Sequence, residues 1–320
     1  MAASGTASLP REAGLEADRA AFLYLALMVL INSSTAGAVK LAVRELPVGL
    51  VPLARFGVAG LCLLPLAWRG GSLRRLIRTD FGRLALAAAF CVPVNQSFLM
   101  SGTKLAPTSH VAIIYAACPL VVLLLATALR QERMTADRLL GVLASVAGVV
   151  VIGLGNLIHG SPEGGAVLRG DLLLVGAVTS WGAYLTVSKP LVARHGALPT
   201  LAATFLLGAV FALPIALVTL PREPFPAASR SAWMGLAYLI LVVTVLGLAF
   251  QNQALRRLDA SQVATAGNAA SILAVVWGVW LFREPVTPAL LMGAALTLGG
   301  ILWTGRPAPQ PDAPVAAEPR

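Results

Sequence analysis

Amide, hydroxyl and aromatic side chains stand at intervals inside stretches that are otherwise almost wholly apolar. Asn32 is followed by Ser33, Ser34 and Thr35, Pro93 by Asn95 and Gln96, and His110 by Tyr115, while Ser180, Trp181 and Tyr184 cluster and Asn268 precedes Ser271. A polar group is expensive in hydrocarbon, so each of these predicts a helix face turned toward protein or a wet cavity. The candidates for holding a substrate are Asn32, Asn95, His110, Tyr115, Trp181, Tyr184, Asn268 and Ser271, a set suited to a neutral or zwitterionic solute. Hydrogen bonding between helices, worth about 0.6 kcal/mol on average, is the plainer use of any one of them. Pro93 frees a carbonyl and can bend its helix toward such a cavity.

The charged residues are fewer. Arg55 is the strongly basic residue well inside an apolar run, eight residues after Pro47, which is roughly 12 Å at the helical rise. It predicts either contact with an anionic group of a substrate or a structural pairing with carbonyls or Glu45. Lys40 and Lys189 close two apolar runs and are read as interfacial anchors or gates. Glu132 and Glu284 sit in short polar breaks and are read as caps or turn formers. No Asp or Glu lies mid-run, so proton coupling would fall to His110, since histidine titrates near neutrality. Its place near a helix end predicts a solvated, uncoupled side chain, and a facilitator or exchanger rather than a proton antiporter. Nucleophilic or acid–base catalysis lacks the paired groups it needs at depth, and Cys62, Cys91 and Cys118 have no metal or disulfide spacing. Neither a cofactor nor a metal is expected.

The elements that position these residues follow from composition. Of 320 residues 58% are hydrophobic and 12% charged, with a mean hydropathy of +0.81, far from a soluble domain's balance. Charges gather between apolar runs of about 20 residues, the length that crosses a bilayer core. Breaks at charges and Pro/Gly clusters predict ten helices, over 20–40, 47–68, 82–102, 107–129, 136–155, 169–189, 197–220, 231–254, 260–282 and 287–305. Most of the 24 Lys and Arg then fall on the N-terminal side, which places both termini in the cytoplasm. The net charge of +10 sets this topology and makes no nucleic-acid face.

The heptads LRQERMT (129–135) and LFREPVT (281–287) repeat one another, and the same offset pairs Ser109 with Ser261, Gly141 with Gly293, Gly148 with Gly300 and Gly153 with Gly305. LPLA at 64–67 and LPIA at 213–216 form an earlier pair. Such spacing signals an internal duplication. Five predicted helices separate the copies, so the two halves would cross the membrane in opposite senses, as in many secondary transporters.

Glu132 and Glu284 in "LxxExxT", the Gly-rich helices that follow, "RF" at Arg55–Phe56 and "SWGAYLTVSK" in the sixth run resemble the EamA family of the drug/metabolite transporter superfamily. The resemblance implies an all-α membrane protein of ten transmembrane helices in two inverted five-helix repeats, at 20–155 and 169–305, between a cytoplasmic tail at 1–19 and a Pro-rich disordered tail at 306–320. It implies alternating access around a central cavity, with export or exchange of small metabolites, often amino acids or related compounds. One departure is that the Trp common early in the first helix is Asn32 here, opposite Trp181, which predicts a polar wall. A carrier of neutral or nucleotide-linked sugars is the alternative, and an intramembrane enzyme a distant one. The expected partners are a small-molecule substrate and the lipid bilayer, in a monomer or homodimer. Abundant Arg, Ala, Gly and Pro predict a GC-rich bacterial source and the plasma membrane.

Overall fold

A computed structural model describes residues 11–68, 71–128, 134–158, 164–220, 228–255 and 260–304, and their regular structure is entirely helical. The two predicted tails therefore fall wholly or mostly outside the described residues, as does Glu132. The first half comprises α1 (Arg11–Ser33), α2 (Thr35–Val43), α3 (Leu50–Trp68), α4 (Ser72–Thr79), α5 (Phe81–Ala89), a π-helical segment Phe90–Val94, α6 (Asn95–Leu105), α7 (Thr108–Ala116), α8 (Cys118–Ala128) and α9 (Ala136–Ile158). The second comprises α10 (Gly164–His195), α11 (Ala197–Thr219), α12 (Arg230–Tyr238), a second π-helical segment Leu239–Leu246, α13 (Gly247–Leu255), α14 (Ala260–Phe282) and α15 (Pro288–Thr304). Helices are the open-ended solution in lipid because every backbone polar group is satisfied within its own segment.

The predicted count of ten spans is not what these helices give. Among the described residues seven are long and apolar enough to cross a membrane: Phe22–Val43, Leu50–Trp68, Phe81–Leu105, Thr108–Leu125, Gly164–His195, Ala197–Thr219 and Arg230–Gln251. The region predicted at 260–282 is helical as α14, but the apolar stretches described in it and in α15, Ala269–Phe282 and Pro288–Gly300, are shorter than a bilayer core asks for. The region predicted at 136–155 is helical but opens on Asp137 and Arg138 and is not among the seven. The two inverted five-helix repeats with both termini inside depended on ten spans and are withdrawn with them. What remains is an all-α, multi-pass membrane protein. Its outer surface agrees, since Val218, Leu217 and Trp280 are strongly exposed, Val218 at 85%, on a face that only lipid would cover without cost.

Three irregularities shape the interior. Ser33 and Ser34 donate to the carbonyls of Leu30 and Ile31 at 2.7 Å each, at the break between α1 and α2, where a hydroxyl bonded back to its own helix competes with the regular ladder. Pro93 has no N–H to give its helix and lies in the widened segment Phe90–Val94, where Ser180 Oγ donates to the Phe90 carbonyl at 2.8 Å. In Leu239–Leu246, Thr244 Oγ1 donates to the Leu239 carbonyl at 2.8 Å. Such π-helical turns are frequent at functional sites.

Elsewhere small residues let helices touch. A methyl group on Gly148 of α9 would stand 2.5 Å from the Gly293 carbonyl of α15, and one on Gly293 would stand 2.7 Å from the Gly148 carbonyl. Ser145 Oγ donates to the Thr297 carbonyl at 2.8 Å, and Thr297 Oγ1 approaches the Ser145 carbonyl at 3.5 Å. Backbone contact of this kind, with small side chains and hydrogen bonds, holds helices together where no hydrophobic difference from the lipid exists.

Candidate functional site

The polar interruptions converge on a cavity of about 350 Å³, in the size range of a small-metabolite pocket. The break after α1 gives it Asn32 and Ser33, and α2 gives Thr35, Ala36 and Val39. From α3 come Arg55 and Phe56, from α6 Asn95, Gln96 and Leu99, and from α7 Val111, Ala112 and Tyr115. Trp181, Phe205, Val243, Thr244, Gln251, Ala270, Ser271 and Ala274 complete the wall.

Its hydrogen bonds form one connected patch and leave two gaps. Asn95 Nδ2 donates to Tyr115 Oη at 2.9 Å and to the Ala177 carbonyl at 2.7 Å, while Gln96 Nε2 donates to Asn95 Oδ1 at 2.6 Å. Gln96 Oε1 is buried and accepts no hydrogen bond from the described residues. Arg55 is buried, its Nε donates to Thr244 Oγ1 at 2.9 Å, and its guanidinium carbon lies 5.1 Å from the Phe56 ring centroid. No carboxylate among the described residues pairs with it. A cationic fork and a vacant acceptor thus share one cavity. Trp277 Nε1 donates to Ser33 Oγ at 3.0 Å and steadies the opposite wall.

Of the predicted substrate contacts, Asn32, Asn95, Tyr115, Trp181 and Ser271 line the cavity. Tyr184 does not; it is buried in the core beside Leu191 and Phe205, with its ring 4.9 Å from that of Trp181. The side chain of Asn268 lies outside the described residues. Arg55, read as either a substrate contact or a structural pair, lines the cavity, and Glu45 is engaged elsewhere, accepting from Ser229 Oγ at 2.7 Å and from the Ser229 N–H. Thr244 and Phe205 join the site without having been singled out, and Gln96, noted as a polar interruption but not named among the substrate contacts, joins it beside Asn95. Gln96 carried a signal, as the amide beside Asn95 after a proline, whereas Thr244 and Phe205 lie in apolar runs that offer none.

A charged contact fastens the start of α7, the helix that gives the cavity Val111 and Ala112. Glu284, in the connection after α14, accepts from the backbone N–H of Thr108 and, at 2.9 Å, of Ser109, the otherwise unpaired donors at the start of α7. Lys40 Nζ of α2 lies 3.1 Å from the same carboxylate. Arg283 adopts a left-handed φ of 54° that turns the chain out of α14 and sets Glu284 against α7. Burial works against ionisation of Glu284, but the Ser109 and Thr108 N–H groups and Lys40 outweigh it and hold its pKa below the usual carboxylate value. Glu284 is thus a cap, but of a helix remote in sequence. Lys189, the predicted counterpart of Lys40, is exposed and has no ion-pair partner among the described residues.

His110 is not the solvated side chain the sequence suggested. It is buried, and its Nδ1 lies 2.8 Å from Asp171 Oδ1 of α10. Asp171 falls third in the predicted 169–189 span and was not singled out from the sequence, so its burial was missed. Small residues allow the approach: a methyl group on Gly170 would stand 2.8 Å from the Ala106 backbone nitrogen just before α7. Among the described residues no group of three or more His, Cys, Asp or Glu could hold a metal ion.

Residues 19–154 and 168–306 each match the EamA-like transporter family. The uncharacterized transporter YetK of Bacillus subtilis is 27% identical over 93% of this chain and 90% of its own. A probable terminal-alkyne amino-acid exporter of Streptantibioticus cattleyicolor is 28% identical over 88% of this chain and 92% of its own. A solved crystal structure of a protein 21% identical in sequence superposes with a TM-score of 0.59, covering 89% of this chain and 96% of that one, which supports the fold alone. With both matches spanning nearly the whole sequence, the chain belongs to the EamA-like transporter family of the drug/metabolite transporter superfamily and is a membrane transporter of small organic solutes, not an enzyme.

Proposed function

We propose that the solute is a small zwitterion bearing a carboxylate, an amino acid or a close relative, exported or exchanged across the bacterial plasma membrane by alternating access to the central cavity. The observation that carries this reading is Arg55, a buried cation on the cavity wall with no carboxylate beside it among the described residues. A guanidinium stays charged in proteins and matches a carboxylate with two parallel hydrogen bonds. Burying it without a counter-charge is costly, and a bound carboxylate removes that cost. Gln96 Oε1, a buried acceptor with no donor among the described residues, suits the ammonium end of the same molecule. The cavity's volume and its aromatic walls, Trp181, Phe56 and Phe205, fit a solute of amino-acid size with an apolar side chain. The similarity to an amino-acid exporter points the same way.

Counterflow in proteoliposomes tests this. Vesicles loaded with an unlabelled amino-acid mixture accumulate labelled amino acid through the wild-type protein, and vesicles loaded with neutral sugars do not. Sugar counterflow without amino-acid counterflow would replace the reading with that of a sugar carrier.

A further inference from the structure

His110 and Asp171 lie just behind the cavity wall. His110 precedes Val111 and Ala112, which line the cavity, on α7. The two side chains are 7% and 5% exposed, and Asp171 Oδ2 is buried and accepts no hydrogen bond from the described residues. A carboxylate so placed, with a neutral imidazole as its one partner, is a poorly compensated charge. One proton taken up by the imidazole changes the pair from a net charge of −1 to a neutral imidazolium–carboxylate pair.

The surrounding charges do not supply that compensation. Glu284, from the connection before α15, is held on the Thr108 and Ser109 N–H groups and on Lys40 of α2. Lys104 of α6 and Arg169 of α10 are exposed and in no ion pair among the described residues. On α9 the charges Asp137 and Arg138 sit at the far end from Ile152, where that helix meets Ile113 of α7. The described stretch Ala269–Phe282 of α14, the whole of α8 and the whole of α15 carry no charged residue.

We propose that the His110–Asp171 pair is a proton-binding site whose occupancy couples solute movement to a pH gradient. The pair joins α7 to α10 beside the Ser109 N–H that Glu284 holds, so both contacts fasten the start of α7, which carries the cavity residues Val111 and Ala112. With the proton bound, the neutral pair favours the closed contact seen here. With the proton lost, the lone buried carboxylate favours hydration, which parts α7 from α10 there. The coupling rests on the transporter reading above, whereas proton binding does not, and the two are tested separately.

Proton uptake is measured first, with a pH-indicating dye, on the detergent-solubilised full chain taken from pH 8 to pH 5. Wild type takes up one proton per chain more than either Asp171→Asn or His110→Gln; equal uptake by all three overturns the proposal. Asp171→Asn is nearly isosteric and guards against a folding failure in the histidine variant. Wild-type proteoliposomes are then made acidic inside by one pH unit, with the membrane potential clamped at zero. One-to-one exchange of proton for solute supports about a tenfold accumulation of labelled amino acid, and in Asp171→Asn accumulation with and without the gradient converges. Wild-type accumulation that ignores the gradient overturns the coupling. Absence of amino-acid counterflow alongside the uptake difference overturns the substrate reading and leaves the proton site standing.

Discussion

Replacing Glu284 tests the charged contact at the start of α7 on stability alone. Its carboxylate accepts two backbone N–H groups of α7 and faces Lys40 at 3.1 Å, with 7% of its side chain exposed. A hydrogen bond to a charged group contributes about 1.5–3 kcal/mol, and the ion pair to partly exposed Lys40 about 0.2–1 kcal/mol. Glu284→Gln keeps one acceptor oxygen and loses one charged bond and the pair, so it should cost about 2 kcal/mol; Glu284→Ala loses both bonds and should cost about 4 kcal/mol. Reversible unfolding in mixed micelles, followed by helical circular dichroism, gives both values. The sign with pH follows from the direction of the shift. The folded carboxyl titrates below its ordinary value of 4.5, so its contribution is full above that pH and fades as pH falls through the lower, folded value. Wild type should therefore lose stability relative to Glu284→Gln on acidification below about pH 4.5. A Gln variant within about 0.5 kcal/mol of wild type at pH 7, the range of an ordinary surface substitution, would refute the assignment of Glu284 as the cap of α7.

Other expectations follow from the packing and the cavity. Gly148→Ala places a methyl group 2.5 Å from the Gly293 carbonyl and should destabilise the α9–α15 contact by about 1–3 kcal/mol, read by the same unfolding assay; Gly165→Ala, with open space around it, is the control. Asn95→Leu removes the donor to Tyr115 and Ala177 and the acceptor for Gln96. Three buried groups lose their partner, so half-saturation for the transported solute should rise about tenfold or more in concentration-dependent counterflow.

The polar interruptions were legible because the sequence around them is so uniformly apolar. Asn32, Asn95, Tyr115, Trp181 and Ser271 stand out in their runs, and the helices that carry them bring all five to one cavity. The number of spans was less legible. Hydropathy marks apolar stretches readily, but how many of them form helices of spanning length is not written in hydropathy alone. Pairings between distant helices were hidden for a different reason. The repeated heptad drew attention to Glu284, yet its partners Thr108 and Ser109 lie more than 170 residues away, and no local pattern names them. His110 and Asp171 each sit near the end of a run, where solvation is the ordinary expectation. Their burial comes from small residues such as Gly170 and Gly102, which let α6 and α10 close together.

The central claim is that Arg55 reads a carboxylate in the cavity, and counterflow with matched solutes tests it most directly. An amino acid competes with its own methyl ester and its own amide for entry through wild type and Arg55→Gln. Wild type should prefer the free carboxylate by about tenfold or more, the worth of a charged hydrogen bond, and Arg55→Gln should lose that preference while still passing the esters. Equal entry of acid, ester and amide through wild type, or a preference that survives in Arg55→Gln, would contradict it.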